Sequence, residues 1–308
     1  MDRLASQTWD KVARGDKWGL KFREDSLTDH NLFELATLHP ALVVDKHNGY
    51  REKRSGADWE WWVGSVATGW VALRVQAKRL HGFGFGFDYL DHAGALPGER
   101  QYDTLIRECA SLPAHYPLHV FYSGWHTPAG HNQWPSDAVW HACPRSEGPG
   151  SCVHADVDHY GCSVASSGAV AALASSGSPK AKYAPEHLSQ ALPWSYLFRV
   201  PTYVALGGTL GTPGDEQWPA EWTDAYWSSR AGAWMDAFQS TLADFGAARF
   251  DPPGANGAGG SSLPRVRVLP PHVQRLLASR GTGEPPDGDA DPDSLVPQAR
   301  MTLVLDVG

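Results

Sequence analysis

The segment LRVQAKRL, residues 73–80, constrains the fold more than any other stretch of the chain. It has the apolar alternation of a β-strand, yet Arg74, Gln76 and Lys78 occupy every second position. Side chains two apart in a strand share a face, so these three form one polar row, with Leu73, Val75 and Ala77 on the other face. Polar groups inside such a run cost free energy unless each finds a partner. The preceding residues 58–65, DWEWWVGS, alternate in the same way, and a turn is predicted at Val66–Gly69. The two runs read as adjacent antiparallel strands, with Asp58, Glu60 and Trp62 on one face of the first.

Around this pair the chain reads as alternating helices and strands. Residues 8–38 carry a helical pattern in two pieces, with a cap-like start at Ser26 and an apolar face of Leu27, Leu32, Phe33, Leu35 and Leu38. Residues 39–45 (HPALVVD) predict a short strand, residues 101–112 (QYDTLIRECASL) an amphipathic helix, and residues 117–123 (PLHVFYS) a buried strand. The resulting order of helix, three strands, helix, strand gives an α/β layer with a mixed sheet. The Gly-x-Gly-x-Gly of HGFGFGF, residues 81–87, lacks the following helix of a dinucleotide fingerprint and reads as a loop or short hairpin.

Further on, residues 162–175 predict a turn and short helix, 220–245 one or two helices, and 301–307 (MTLVLDV) a last strand. Residues 1–125 are expected to form the core, with 126–308 a loop-rich, partly helical extension packed on it. Within that extension, 251–262 and 281–293 read as flexible from their Pro, Gly and Asp content.

Composition sets outer limits. Of 308 residues, 42% are hydrophobic and 19% charged, which supports a sizeable core. The formal net charge of −8 gives the whole molecule no electrostatic pull toward nucleic acid, so any such contact must rest on local cations. No run approaches a membrane span, and four Cys do not make a disulfide framework, so a cytoplasmic, membrane-free setting is expected.

The chemistry implied by the strand pair is phosphodiester hydrolysis. That reaction needs charge neutralised on phosphoryl oxygens and a water made nucleophilic, and a Mg²⁺ held by one or two protein oxygens does both. Asp58 is the expected principal ligand, Glu60 its partner or alternate, and Gln76 a neutral amide ligand. Lys78 is expected to orient or deprotonate the water, or to hold the scissile phosphate. Glu24 is a further candidate ligand, although an acid before a helix ordinarily serves the helix dipole. Arg74 and Arg79 are candidates for phosphate contacts. Gln101, opening its helix, could contact phosphate or Lys78. The plainer alternative makes Asp58, Glu60 and Lys78 paired charges on a half-solvated sheet face.

The Gln-Ala-Lys-Arg strand resembles that of Mrr-type restriction endonucleases, the branch of the PD-(D/E)xK nuclease superfamily with Gln in place of the third acid. That resemblance implies a restriction-endonuclease-like αβββαβ core, an acid at the start of the second strand, (D/E/Q)xK on the third, and Mg²⁺, for which Mn²⁺ often substitutes. Asp58, Gln76 and Lys78 match these positions, and the superfamily's occasional acid on the first helix falls at Glu24. Ala57-Asp58 stands where the Pro-Asp dipeptide is usual. SGADWEWW, LRVQAKRL, QYDTLI and PLHVFYS together are also similar to an uncharacterised bacterial family of nuclease type, over roughly residues 24–123.

A second cluster, Cys143, Cys152, His154 and Cys162, has Cys-x-His spacing compatible with structural zinc, against the ordinary reading of buried thiols and solvated His. The expected function is a metal-dependent nuclease, acting on DNA before RNA. By analogy it is an effector of anti-phage defence with a partner protein, or a homodimer. The rival reading is a nuclease fold that binds nucleic acid or a partner without cutting.

Overall fold

A computed structural model describes residues 1–38, 42–46, 55–81, 86–87, 89–125, 156–198, 224–244, 264–279 and 301–306. Helices α1 (Asp2–Trp18) and α2 (Glu24–Leu38) come first, then strands β1 (Leu42–Lys46), β2 (Trp59–Ser65) and β3 (Gly69–Arg79). Helix α3 (Gln101–Ala110) crosses over to β4 (His115–Tyr122). From α2 onward this is the expected αβββαβ order. A short 3-10 turn (Asp156–Gly161) leads to β5 (Cys162–Ser166), α4 (Ser167–Ala174), α5 (Ala184–Leu188) and β6 (Leu192–Pro193). Helices α6 (Asp224–Asp244) and α7 (Pro271–Ser279) precede β7 (Met301–Asp306).

One mixed sheet of seven strands, in the order β1-β7-β2-β3-β4-β5-β6, unites these elements. β2 and β3 are an antiparallel hairpin with Trp59 opposite Val75 and Ser65 opposite Gly69. Its turn is closed by Ser65 and Thr68, whose hydroxyls and amides bond one another. β3 and β4 are parallel, as the crossover through α3 requires. The strand from far downstream, β7, lies parallel to β2 and antiparallel to β1, separating the two. Residue 125 therefore marks no structural division, because β5, β6 and β7 belong to the same sheet as the strands before it. The segments 251–262 and 281–293 lie outside the described residues.

The apolar row Trp59, Trp61, Leu73, Val75 and Ala77 packs under α1, α2 and α6 in the principal core. Thr8 and Asn31 exchange hydrogen bonds between α1 and α2, and Asn31 also donates to the Cys162 sulfur. The opposite face carries Trp62, Trp70 and Ala72 against Leu269 and Val273 near and on α7, and Ala57 against Leu105 and Cys109 of α3. β3 is thus buried on both faces along its whole length. The half-solvated sheet face is not what forms. Two details of the elements differ from expectation. α2 begins at Glu24, two residues before Ser26, and Cys162–Ser166 is a strand rather than a turn, its Ser166 capping α4. Among the described residues no helix is long and apolar enough to cross a membrane.

Candidate active site

The site arises where β3 outruns its neighbour. The β2–β3 ladder ends at Trp59 and Val75, leaving the amides of Ala77 and Arg79 facing that side without a strand. Two carboxylates take them. Asp58 donates its own N–H to the Val75 carbonyl (2.8 Å), and its Oδ2 accepts the Ala77 N–H at 2.5 Å. Glu24, the first residue of α2, accepts the Arg79 N–H through Oε1 at 3.0 Å. Charge-assisted bonds of this kind are stronger than the ladder bonds they replace. Both acids are half-buried, and the two amides that anchor them are about 7 Å apart at a rise of about 3.3 Å per residue.

Gln76 and Lys78 project toward α3. The Gln76 amide donates from Nε2 to the Gly56 carbonyl (3.1 Å), which fixes the side chain at the corner leading into Asp58. Its Oε1 is buried and has no hydrogen-bond partner among the described residues. Lys78 is 3% exposed, and its Nζ donates to Gln101 Oε1 at 3.2 Å. Gln101, half-buried in the first turn of α3, is thereby joined to Lys78, one of its two expected roles. Gly56 makes this docking possible. Its φ is +71°, and a Cβ there would stand 2.8 Å from both the Gln101 carbonyl and the Leu105 nitrogen. The close approach that Gly56 permits is that of α3.

An unmet buried acceptor costs roughly 1–3 kcal/mol, so Gln76 Oε1 is an oxygen held ready for a donor or a cation. Among the described residues no three His, Cys, Asp or Glu side chains are grouped to hold a metal. A cation here would rest on Asp58 and the neutral Gln76 oxygen and keep most of its water, which suits Mg²⁺. By donor chemistry the residues present fit such an ion.

His119 belongs to this neighbourhood and is absent from the sequence-based set. It lies opposite Gln76 on β4, fully buried, with Nδ1 at 2.8 Å from Ser167 Oγ and Nε2 without a partner among the described residues. Burial, then the charge of Lys78, holds its pKa well below the usual imidazole value, so it is neutral at pH 7. The signal was present in PLHVFYS: a polar residue inside a buried strand, the same anomaly that marks Gln76.

Three expected residues are drawn elsewhere. Glu60 lies opposite Arg74, accepting its Nε–H at 2.8 Å and the Trp62 Nε1–H at 2.6 Å, with His115 Nε2 at 3.6 Å. Burial alone would raise the Glu60 pKa, but the Arg74 charge and the His115 imidazole hold it far below the carboxylate range. The carboxylate is committed to a buried ion pair and is not presented as a metal ligand. Arg74, 1% exposed, is its counter-ion. Arg79, 3% exposed, puts its guanidinium on Asp16 at 2.5 Å. Neither arginine offers its charge to a phosphate at the surface. Both act as internal staples.

Of the zinc candidates, Cys143, Cys152 and His154 lie outside the described residues. Cys162 sits in the principal core, its thiol pushed up to about 12 by burial, where it accepts from Asn31.

The chain belongs to a family of unknown function (DUF6615), whose model matches residues 1–304. No curated protein matches it. No solved structure matches it.

Proposed function

We propose that this member of the family is a metal-dependent phosphodiesterase cutting nucleic acid, DNA before RNA, with Asp58, Gln76 and Lys78 at its centre and Glu24 alongside. The observation that carries the reading is the buried, unpartnered Gln76 Oε1, on a side chain held by the Gly56 carbonyl two residues before Asp58 and itself two residues before Lys78. The αβββαβ order, with an acid opening the second strand and QxK on the third, adds the sequence resemblance to PD-(D/E)xK nucleases as support.

Mg²⁺, or Mn²⁺ in its place, would be held by Asp58 and Gln76 and would supply phosphate charge neutralisation and a more acidic water. The chain's own residues do the rest. Lys78 commits one proton to Gln101 Oε1 and has two N–H bonds left to hold a phosphoryl oxygen or orient a water. Gln101 sets the direction of that ammonium group. Neutral His119 adds no competing charge beside it. Glu24, anchored through Oε1, offers its other oxygen to water at the same strand edge.

The test is cleavage of plasmid, single-stranded DNA and RNA with Mg²⁺, Mn²⁺ or EDTA. Metal-dependent product is expected for the wild type, with a loss of about 10²-fold or more in Asp58→Ala and in Lys78→Ala. Undiminished cutting by both variants would remove the assignment. The near-complete burial of Gln76 and Lys78 favours one rival, a nuclease fold that binds without cutting. It predicts salt-sensitive binding with no metal-dependent product. The free, buried thiols of Cys109 and Cys162 suit a reducing cytoplasm. A net charge of −8 suits target recognition shared with a partner protein or a second copy, as in a defence effector.

A further inference from the structure

Residues 17–23, KWGLKFR, end α1 and lead into α2, and are exposed throughout. Trp18 is 62% exposed, Leu20 59% and Phe22 37%. Lys17, Lys21 and Arg23 interleave with them, no acid occurs in the segment, and none of the three cations has an ion-pair partner among the described residues. In a chain of net charge −8 this is a local reversal of sign.

The segment is also built in place. Gly19, at φ +71°, ends α1 in a Schellman motif, its N–H reaching the Asp16 carbonyl and that of Leu20 the Gly15 carbonyl (2.8 Å). Gly15 lets the segment fold back, since a Cβ there would stand 2.4 Å from the Leu20 carbonyl and 3.0 Å from the Phe22 ring. Both ends are fastened to one residue of the site strand. Asp16 holds the Arg79 guanidinium, and Glu24 holds the Arg79 N–H. The Arg79 side chain lies on the face of β3 opposite Lys78, and the segment meets the candidate site through Glu24, which directly follows it and takes the Arg79 N–H at the strand edge shared with Asp58.

We propose that segment 17–23 is a stacking platform that receives single-stranded nucleic acid and leads it to the site. The destination of the strand rests on the nuclease reading; the binding of the strand does not. Exposed aromatic faces stack with bases only where bases are unpaired, and the interleaved cations follow the phosphates between them. A duplex hides its base faces and would meet only the charges.

The test is fluorescence anisotropy with labelled oligothymidylate and with a duplex, in EDTA, on the full chain carrying Lys78→Ala. Wild-type residues 17–23 are expected to bind the single strand more tightly than the duplex. Trp18→Ala with Phe22→Ala should weaken single-strand binding roughly 5- to 100-fold, melting temperature unchanged. Replacing Lys17, Lys21 and Arg23 by Gln should lower the slope of log affinity against log salt by about 2. Duplex binding as tight as single-strand binding, no binding of either, or aromatic variants that bind like wild type would each overturn the proposal. Binding lost in those variants, with no cleavage of any substrate under Mg²⁺ or Mn²⁺ by the chain that keeps Lys78, would keep the platform and remove the nuclease. Metal-dependent cleavage with binding untouched by them would do the reverse.

Discussion

Glu60 and Arg74 form a fully buried ion pair, with Trp62, His115 and His272 around the carboxylate. Removing one partner strands the other charge in the core, so Glu60→Gln should cost about 3–5 kcal/mol, read from urea unfolding at pH 7. The pH dependence has a definite sign. The folded pKa of Glu60 lies below its ordinary 4.5, so its stabilisation is complete above about pH 4.5 and is lost as pH falls toward the folded value. Unfolding midpoints measured downward from pH 6 should fall more steeply in wild type than in Glu60→Gln. At this scale the sequence shows that Arg74, Gln76 and Lys78 need partners, but not which ones. Period-two alternation assigns a face, and it put Glu60 with Asp58. Pairing register decides the partner, and it set Glu60 against Arg74 and Asp58 against the free end of β3. His119 carries a weaker signal, because its period-two neighbours in the strand are Pro117 and Phe121.

The corner 55–58 and the start of α3 work as one element. Gly56 presents its carbonyl to Gln76 and its bare Cα to α3, and Gln101 reaches from that helix to Lys78. Gly56→Ala combines a left-handed φ with a backbone clash and should cost about 2–4 kcal/mol, visible as a lowered melting temperature. The same substitution displaces the Gln76 anchor and α3 together, so the proposed nuclease activity should fall further than stability alone dictates, measured where the variant is still folded. Most elements near the site were legible: β3 and α3 from their period, β2 and β4 as apolar runs with marked ends, and α2 from its leucines, although Phe33 of the expected apolar face is 68% exposed. The turn at Val66–Gly69 also forms where its residues indicate. The strand Cys162–Ser166 was not legible: its small residues CSVAS carry no alternation, and its neighbours β4 and β6 define it.

Across the whole molecule, the feature least visible in the sequence is the place of β7. MTLVLDV reads plainly as a strand, but no local pattern says that it inserts between β1 and β2 or runs parallel to the latter. Residues after 125 look like an extension because long low-periodicity stretches separate their strands, yet the sheet is continuous through them. Truncation before Met301 should leave both β1 and β2 with open edges, giving aggregation on size-exclusion chromatography instead of a folded core. The order of synthesis gives this arrangement a further meaning. Glu60 pairs across the sheet with Thr302, so a ribosome must deliver nearly the whole described chain before the strand leading out of Asp58 is flanked on both sides. A nascent chain therefore carries Asp58, Gln76 and Lys78 early but holds them in a finished sheet only late, so the proposed cutting activity would be withheld until β7 has been made.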